Sequence, residues 1–375
     1  MTAHLRTLHI EEFDAFMRFM ERAYGHSREF FSRYYGHLYR PTPEACANCY
    51  VIEEAGRIVS HVGLFPIHVV SAGVRLTLGG IGGVATLPEA RGRGYMTRLL
   101  NHAIGEMRAR GYPASWLGGD RQRYNTFGWE MAAPVFRLTF SRRSLAWHDV
   151  TPTPIEEVLP EAAYPLVAAH QHQATCHARR PDLREKLQRR DLRFWVAADG
   201  YAIAEGQQRD HVKVVELVSA SGDEAGLLQA ILEWNFAEDV TWELSAWEHA
   251  RLARVMPYTA GWQMRAHGMI RINDLTALLS AALPFLTPRA VGLRDTAVTL
   301  RLRERDRTTA TTLIVKNETV RILAGAHTPS TCEFPLLDAV RLLFGGPAPA
   351  GLDALPPPIR ALFPLPLYVP HLDRV

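Results

Sequence analysis

Cysteine is scarce in this chain, charges of the two signs nearly cancel, and no apolar run is long enough to cross a bilayer. Each shortage removes a class of protein. The cysteines Cys46, Cys49, Cys176 and Cys332 are too few among 375 residues for a disulfide scaffold. Cys46 and Cys49 form one CxxC, but no second ligand pair follows at zinc spacing, so structural thiols are expected and no metal. A formal charge of +3 excludes a general nucleic-acid or acidic-membrane binder, and any basic site must be local. Acidic residues stand in the N-terminal stretch where a secretion signal needs an apolar core, which predicts a cytoplasmic protein with no membrane partner. No GKS or GKT is present, so a Walker loop is excluded.

Apolar residues make up 47% and charged residues 22%, which suits a folded protein with sizeable cores, and the length calls for more than one domain. Residues 10 to 38 carry apolar and aromatic positions at helical spacing. "NCYVIEEAG", "RIVSHVGLFPIHVV" and "LTLGGIGGVATL" then read as strands. In "GYMTRLLNHAIGEMRARGY", Met96, Leu99, Leu100, Ala103, Ile104 and Met107 share one face, and Gly111 and Pro113 end the helix. "PASWLGG" and "PVFRLTFSRR" add two strands. After residue 150 the same order returns in weaker form: "RFWVAADGYAIAEGQQ", "HVKVVELVSA", the helical "EAGLLQAILEWNFAE" and "DVTWELSAW". A third region alternates apolar and polar residues through "TAVTLRLRERD" and forms a hairpin around Asn317. It ends in a proline-rich tail that must lie across other surfaces.

The chemistry concentrates in "VATLPEARGRGYMTRLL". A loop that opens a helix offers unpaired N–H groups and the positive end of the helix dipole to an anion. Arg91 and Arg93 add charge, and Gly92 and Gly94 let the backbone curl around a phosphate, so the expected ligand is a pyrophosphate. "GIGGVA" at 80–85 matches GxGxxA, but Thr86, Leu87 and Pro88 follow where a dinucleotide fingerprint needs a helix. The second informative string is "RYNTFGWE". A phenol there, Tyr124, could protonate a departing thiolate, since values near ~10 and ~8.5 permit the transfer. His61 and His68 lie on a predicted strand without paired ligand spacing and are given no catalytic role.

Together the two strings resemble the GCN5-related N-acetyltransferases (GNAT). Arg91 and Gly94 match the family's Gln/Arg-x-x-Gly-x-Gly/Ala loop, with Met96 in place of the last small residue; Tyr124, Gly128 and Trp129 match its Tyr-x-x-x-Gly-Phe. That bulky Met96, the length, the degenerate second copy and the C-terminal module are similar to the Eis (enhanced intracellular survival) family. The resemblance implies a mixed α/β (α+β) chain: an N-terminal GNAT domain over 1–145, a degenerate GNAT-like domain over 146–280 and a sterol-carrier-like domain over 281–375. It further implies acetyl-CoA held by Val84, Ala85, Thr86, Arg91, Gly92, Arg93, Gly94, Tyr95, Met96 and Asn125. Tyr124 is implied as general acid and the carboxylate of Val375 as base.

The acceptor implied is a small-molecule or peptide amine, an aminoglycoside, polyamine or lysine, and the assembly a homo-oligomer such as a hexamer. Phe30, Phe31, Tyr34 and Tyr35 either wall the acceptor pocket or pack as core. Two rival readings predict other ligands. One is a scaffold whose strands 298–302 and 312–315 line a lipid pocket; the other is an oxidoreductase binding NAD at "GIGGVA".

Overall fold

The computed structural model of the chain describes residues 3–26, 29–208, 210–305, 307–347 and 352–375. The β-branched and apolar runs form β1 (Ala3–Thr7), β2 (Cys49–Glu54), β3 (Arg57–Ser71), β4 (Val74–Thr86), β5 (Ala114–Leu117) and β6 (Glu130–Ser141). The second region adds β7 (Glu156–Val158), β8 (Cys176–Ala178), β9 (Leu192–Ala197), β10 (Gly200–Gln208), β11 (His211–Ser219), β12 (Asp239–Ser245) and β13 (Gly261–Ile272). All of these join one large sheet in the order β1-β2-β3-β4-β5-β13-β6-β12-β11-β10-β9-β7, with β8 along β3. The last region contributes β14 (Thr296–Glu304), β15 (Arg307–Lys316), β16 (Thr319–Ala324) and β17 (Thr331–Pro335), paired as β16-β15-β14-β17. No helix among the described residues is long and apolar enough to cross a membrane.

The internal repeat is visible in the pairing. In the first copy β2, β3 and β4 form an antiparallel meander, and the helix Tyr95–Ala109 crosses over so that β4 runs parallel to β5. In the second copy β9, β10 and β11 make the meander, and the helix Glu224–Trp234 leads to β12, parallel to β11. The copies exchange their last strands. β13 pairs with β5 and β6, while β6 pairs with β12. The hydrogen-bond network therefore runs unbroken across residue 145, because each copy covers an edge the other would expose.

The third region is continuous with the first in packing. Leu278, Leu286, Val298, Leu300 and Leu313 share one core with Ile67, Leu76 and Leu78. Val298, Leu300, Leu302, Leu313 and Val315, the positions suggested for a lipid pocket, are at most 6% exposed within that core. The hairpin at Asn317 forms with φ of 48° there and 60° at Glu318, the left-handed pair such a turn requires. All four cysteines are free and buried.

The proline-rich tail lies over the large sheet and is buried along Leu365, Leu367, Val369 and Leu372. The N–H of Tyr368 donates to Ser71 Oγ at 3.1 Å, and Nε2 of His267 sits 2.7 Å from the Val369 carbonyl. The second copy then holds the last turn by charge. Arg180, itself buried, donates to Asp373 at 2.7 Å and to Glu216 at 2.9 Å, and Lys186 lies 3.4 Å from Asp373. His371 meets Glu205 at 2.5 Å, and Arg374 meets Glu243. Burial alone would raise the carboxyls of Asp373, Glu205 and Glu243, but the charges of Arg180 and Lys186 on Asp373, the hydrogen bond from His371 with Lys213 on Glu205, and the hydrogen bond from His267 with Arg374 on Glu243 hold all three below the ordinary range.

Two outcomes are expected. Arg180→Met leaves Glu216 without its counter-ion and Asp373 with Lys186 alone, and should cost about 3–5 kcal/mol in urea denaturation; a loss under 1 kcal/mol would show that the cluster does not hold the tail. Burial pushes His61 and His267 down to about 4, against hydrogen bonds that favour the proton. Unfolded histidine titrates near ~6.5, so below that pH the unfolded chain binds protons that the native state does not, and stability falls as pH drops toward 4. Unfolding free energies from urea titration should be flat above pH 7 and lower by about 3 kcal/mol or more at pH 5. Equal stability at both values would contradict buried neutral imidazoles.

Candidate active site

The glycine-rich centre of β4 is pressed from both faces. A Cβ at Gly79 would lie 2.4 Å from Met107 Sδ on the helix Tyr95–Ala109, and one at Gly83 would lie 2.1 Å from the Tyr39 phenol oxygen. On the other face, a Cβ at Gly80 or Gly82 would lie 2.8 Å from atoms of Val375. "GIGGVA" is thus a strand interior from which side chains are excluded, and not a turn into a helix, which removes the structural basis for NAD binding there.

One extra residue in β4 makes a bulge: His61 pairs with Ala85 but Gly63 with Gly82. Gly83 takes φ +62°, and His61 Nδ1–H donates to its carbonyl at 2.7 Å. Toward β5, β4 is paired only at Gly79–Ser115 and Gly80–Trp116; beyond these the two parallel strands part. Three carbonyls along the bulge already have donors. Tyr24 Oη–H reaches Val84 O at 3.0 Å, Ser60 Oγ–H reaches Ala85 O at 2.9 Å, and Arg91 Nε–H reaches Thr86 O at 3.4 Å. Leu87 N–H points to β3, where it meets Val59 O at 3.0 Å, so strand alternation turns the N–H groups of Val84 and Thr86 into the gap.

The gap leads into a cleft of about 640 Å³. Val84, Ala85, Thr86, Arg91, Gly92, Gly94, Tyr95 and Met96 of the expected set all line it. Gly92 (φ 77°) and Gly94 (φ 75°) give the loop its left-handed turns, and the helix Tyr95–Ala109 starts with no side-chain cap. Its first N–H groups therefore face the cleft beside Arg91, which has no ion pair among the described residues. The second copy fills its own counterpart. Asp223 caps the helix Glu224–Trp234 by accepting from Gly226 N–H at 3.0 Å, and between β11 and β12, where Arg251 donates to Leu217 O, a hollow of only about 40 Å³ remains. A carboxylate at that helix start repels the anion that the first copy invites.

Not every expected residue joins the cleft. Arg93 turns away and forks onto Glu54 at 2.9 and 2.8 Å. Asn125 lines a separate groove of about 350 Å³ with Arg108 and Arg305. Tyr124 ends the short helix Arg121–Tyr124, is 6% exposed, and packs its ring on Gly119. Burial raises its phenol, while neighbouring Arg123, which lines the cleft, partly opposes the rise; the proton stays on at neutral pH. The phenols of Tyr24 and Tyr124 lie close enough to repel each other's charged forms. Phe30 and Phe31 pack with Tyr24, His26 and Tyr35 in an aromatic wall beside the bulge, and only Phe31 of the expected four is fully buried. Sequence reasoning missed Tyr24, Arg123 and the bulge contact of His61. Tyr24 precedes the bulge by 60 residues, and no local pattern joins the two.

Comparison with known proteins agrees with this fold. Residues 4–132 match the family model for an acetyltransferase (GNAT) domain. Solved structures share the fold over nearly the whole chain. A GCN5-related N-acetyltransferase from Kribbella flavida has TM-score 0.70 and 19% identity, covering 96% of each chain. A second from Anabaena variabilis has TM-score 0.68 and 17% identity over 98% of each. Eis1 from Mycobacterium abscessus has TM-score 0.63 and 16% identity over 96% of each. No curated protein matches significantly.

If the loop holds a pyrophosphate, Arg91→Gln should weaken coenzyme A binding about tenfold or more in calorimetry, the usual value of a charge-assisted hydrogen bond, and leave thermal stability unchanged. Unchanged affinity would move the phosphates elsewhere.

Proposed function

We propose that this chain, whose residues 4–132 match the acetyltransferase (GNAT) domain model, is an acetyltransferase that draws on acetyl-CoA and transfers the acetyl group directly to a primary amine of a small molecule or a lysine side chain. The observation that carries this reading is the meeting at β4: an open anion-binding loop on one side of the bulge and the carboxyl end of Val375 against Gly82 on the other. Acetyl-CoA supplies the thioester. Arg91, the Gly92–Gly94 turn and the helix start would hold its pyrophosphate, and the N–H groups of Val84 and Thr86 would bind the pantetheine arm and polarise the carbonyl.

The acceptor would occupy the hollow of about 220 Å³ that Val375 lines with Phe65, Pro66, His37 and Arg179. Its amine nitrogen bonds to the carbonyl carbon as the carbon–sulfur bond breaks. The Val375 carboxylate takes the ammonium proton and Tyr124 gives its proton to the thiolate. A carboxylate suits the base role only if it is fixed, and the anchors at Asp373 and Arg374 support that. Exposed Trp262 and Met264 on β13 support the expected homo-oligomer.

Thiol release from acetyl-CoA with a panel of polyamines, aminoglycosides and lysine peptides tests the reading. Tyr124→Phe should lower kcat roughly 10²–10⁴-fold with little change in coenzyme A affinity, as should an extension beyond Val375. Release that is independent of every amine would overturn it.

A further inference from the structure

On the second copy's half of the large sheet, four strands and the tail enclose a pocket of about 230 Å³. Pairing register puts its lining on one face: Lys213 opposite Thr241, Glu243 opposite Arg137, and Arg265 two positions beyond Arg137's other partner, Gln263. His371 and Arg374 close it from the tail. Four permanent cations thus face one carboxylate, Glu243. That carboxylate is committed to Arg374 and lies 3.5 Å from His267. Lys213 is met from outside the lining by Glu205 at 2.7 Å. Arg137 and Arg265 have no ion pair among the described residues, and Nε of Arg374 is buried without an acceptor.

We propose that this pocket binds a phosphoryl group, free or carried by a small molecule. Three guanidinium groups converging from β6, β13 and the tail provide planar forks for its oxygens, which a chloride or a single carboxylate would leave largely unused. The volume admits phosphate with a small substituent. The site is separate from the cleft at Arg91 and does not depend on the acetyl-transfer reading.

Calorimetric titration of the full chain with inorganic phosphate and with glycerol 3-phosphate, against chloride at matched ionic strength, tests it. Arg91→Gln is run in parallel, since the loop in the first copy also suits phosphate. Saturable binding is expected in the parent and in Arg91→Gln, weakened about tenfold or more in each of Arg137→Gln and Arg265→Gln. Binding of phosphate alone would assign the free ion, and binding of both would assign the phosphoryl group of a small molecule. Thermal midpoints measured without phosphate check folding, and Arg265, an exposed strand residue, can change without touching the core. Absence of saturable binding, or binding lost in Arg91→Gln and unchanged in the other two variants, would overturn the proposal.

Discussion

The arrangement of this molecule depends on the bare backbone of β4. Between Gly79 and Gly83 four of five residues have no side chain, so a helix, an aromatic wall and the end of the tail can all touch the same strand. Glycine in a strand interior costs stability and packs poorly. Here the lost packing is replaced by contacts from distant elements, and the left-handed Gly83 bends the strand away from β5. His61 fixes that bend. Held neutral by burial, it places its one N–H on the bulge carbonyl, so an imidazole with no part in proton transfer still determines where the cleft opens.

The two copies of the repeat have diverged in the use of one site. Both have a helix start beside a parting strand pair, and a few side chains decide the outcome. The first leaves its N–H groups open next to Arg91. The second supplies its own anion in Asp223 and lays Arg251 on the Leu217 carbonyl at the end of β11. Glu205, Glu216 and Glu243, on consecutive strands of the second copy, instead hold the tail through His371, Arg180 and Arg374. A fold that has lost one binding site has become a clamp for the segment that reaches the other.

Much of this was legible in the sequence. The periodicity from Met96 to Met107, the strands on either side and the Arg91–Gly94 loop are local patterns, and the cleft contains nearly all the residues they indicated. Local patterns do not report direction. Arg93 shares its loop with Arg91 but meets Glu54 on β2, 39 residues earlier, and Asn125 follows Tyr124 but faces the third region across another groove. The bond from Tyr24 to Val84 and the anchoring of Asp373 by Arg180, 193 residues apart, arise only when the chain is folded. The strand exchange was likewise invisible, since the sequence order of elements is the same whether or not β6 and β13 trade places.

That exchange has a consequence for what counts as a part. A fragment ending at residue 145 would carry every loop and side chain that lines the main cleft, yet it would lack β13, whose Met269–Ile272 covers the outer edge of β5. β5 is only four residues long and its strand pairing would then be reduced to Gly79–Ser115 and Gly80–Trp116 of β4. The repeat is double in its sequence and single in its cohesion: the cleft belongs to one copy, and the strand that completes the sheet beside it belongs to the other.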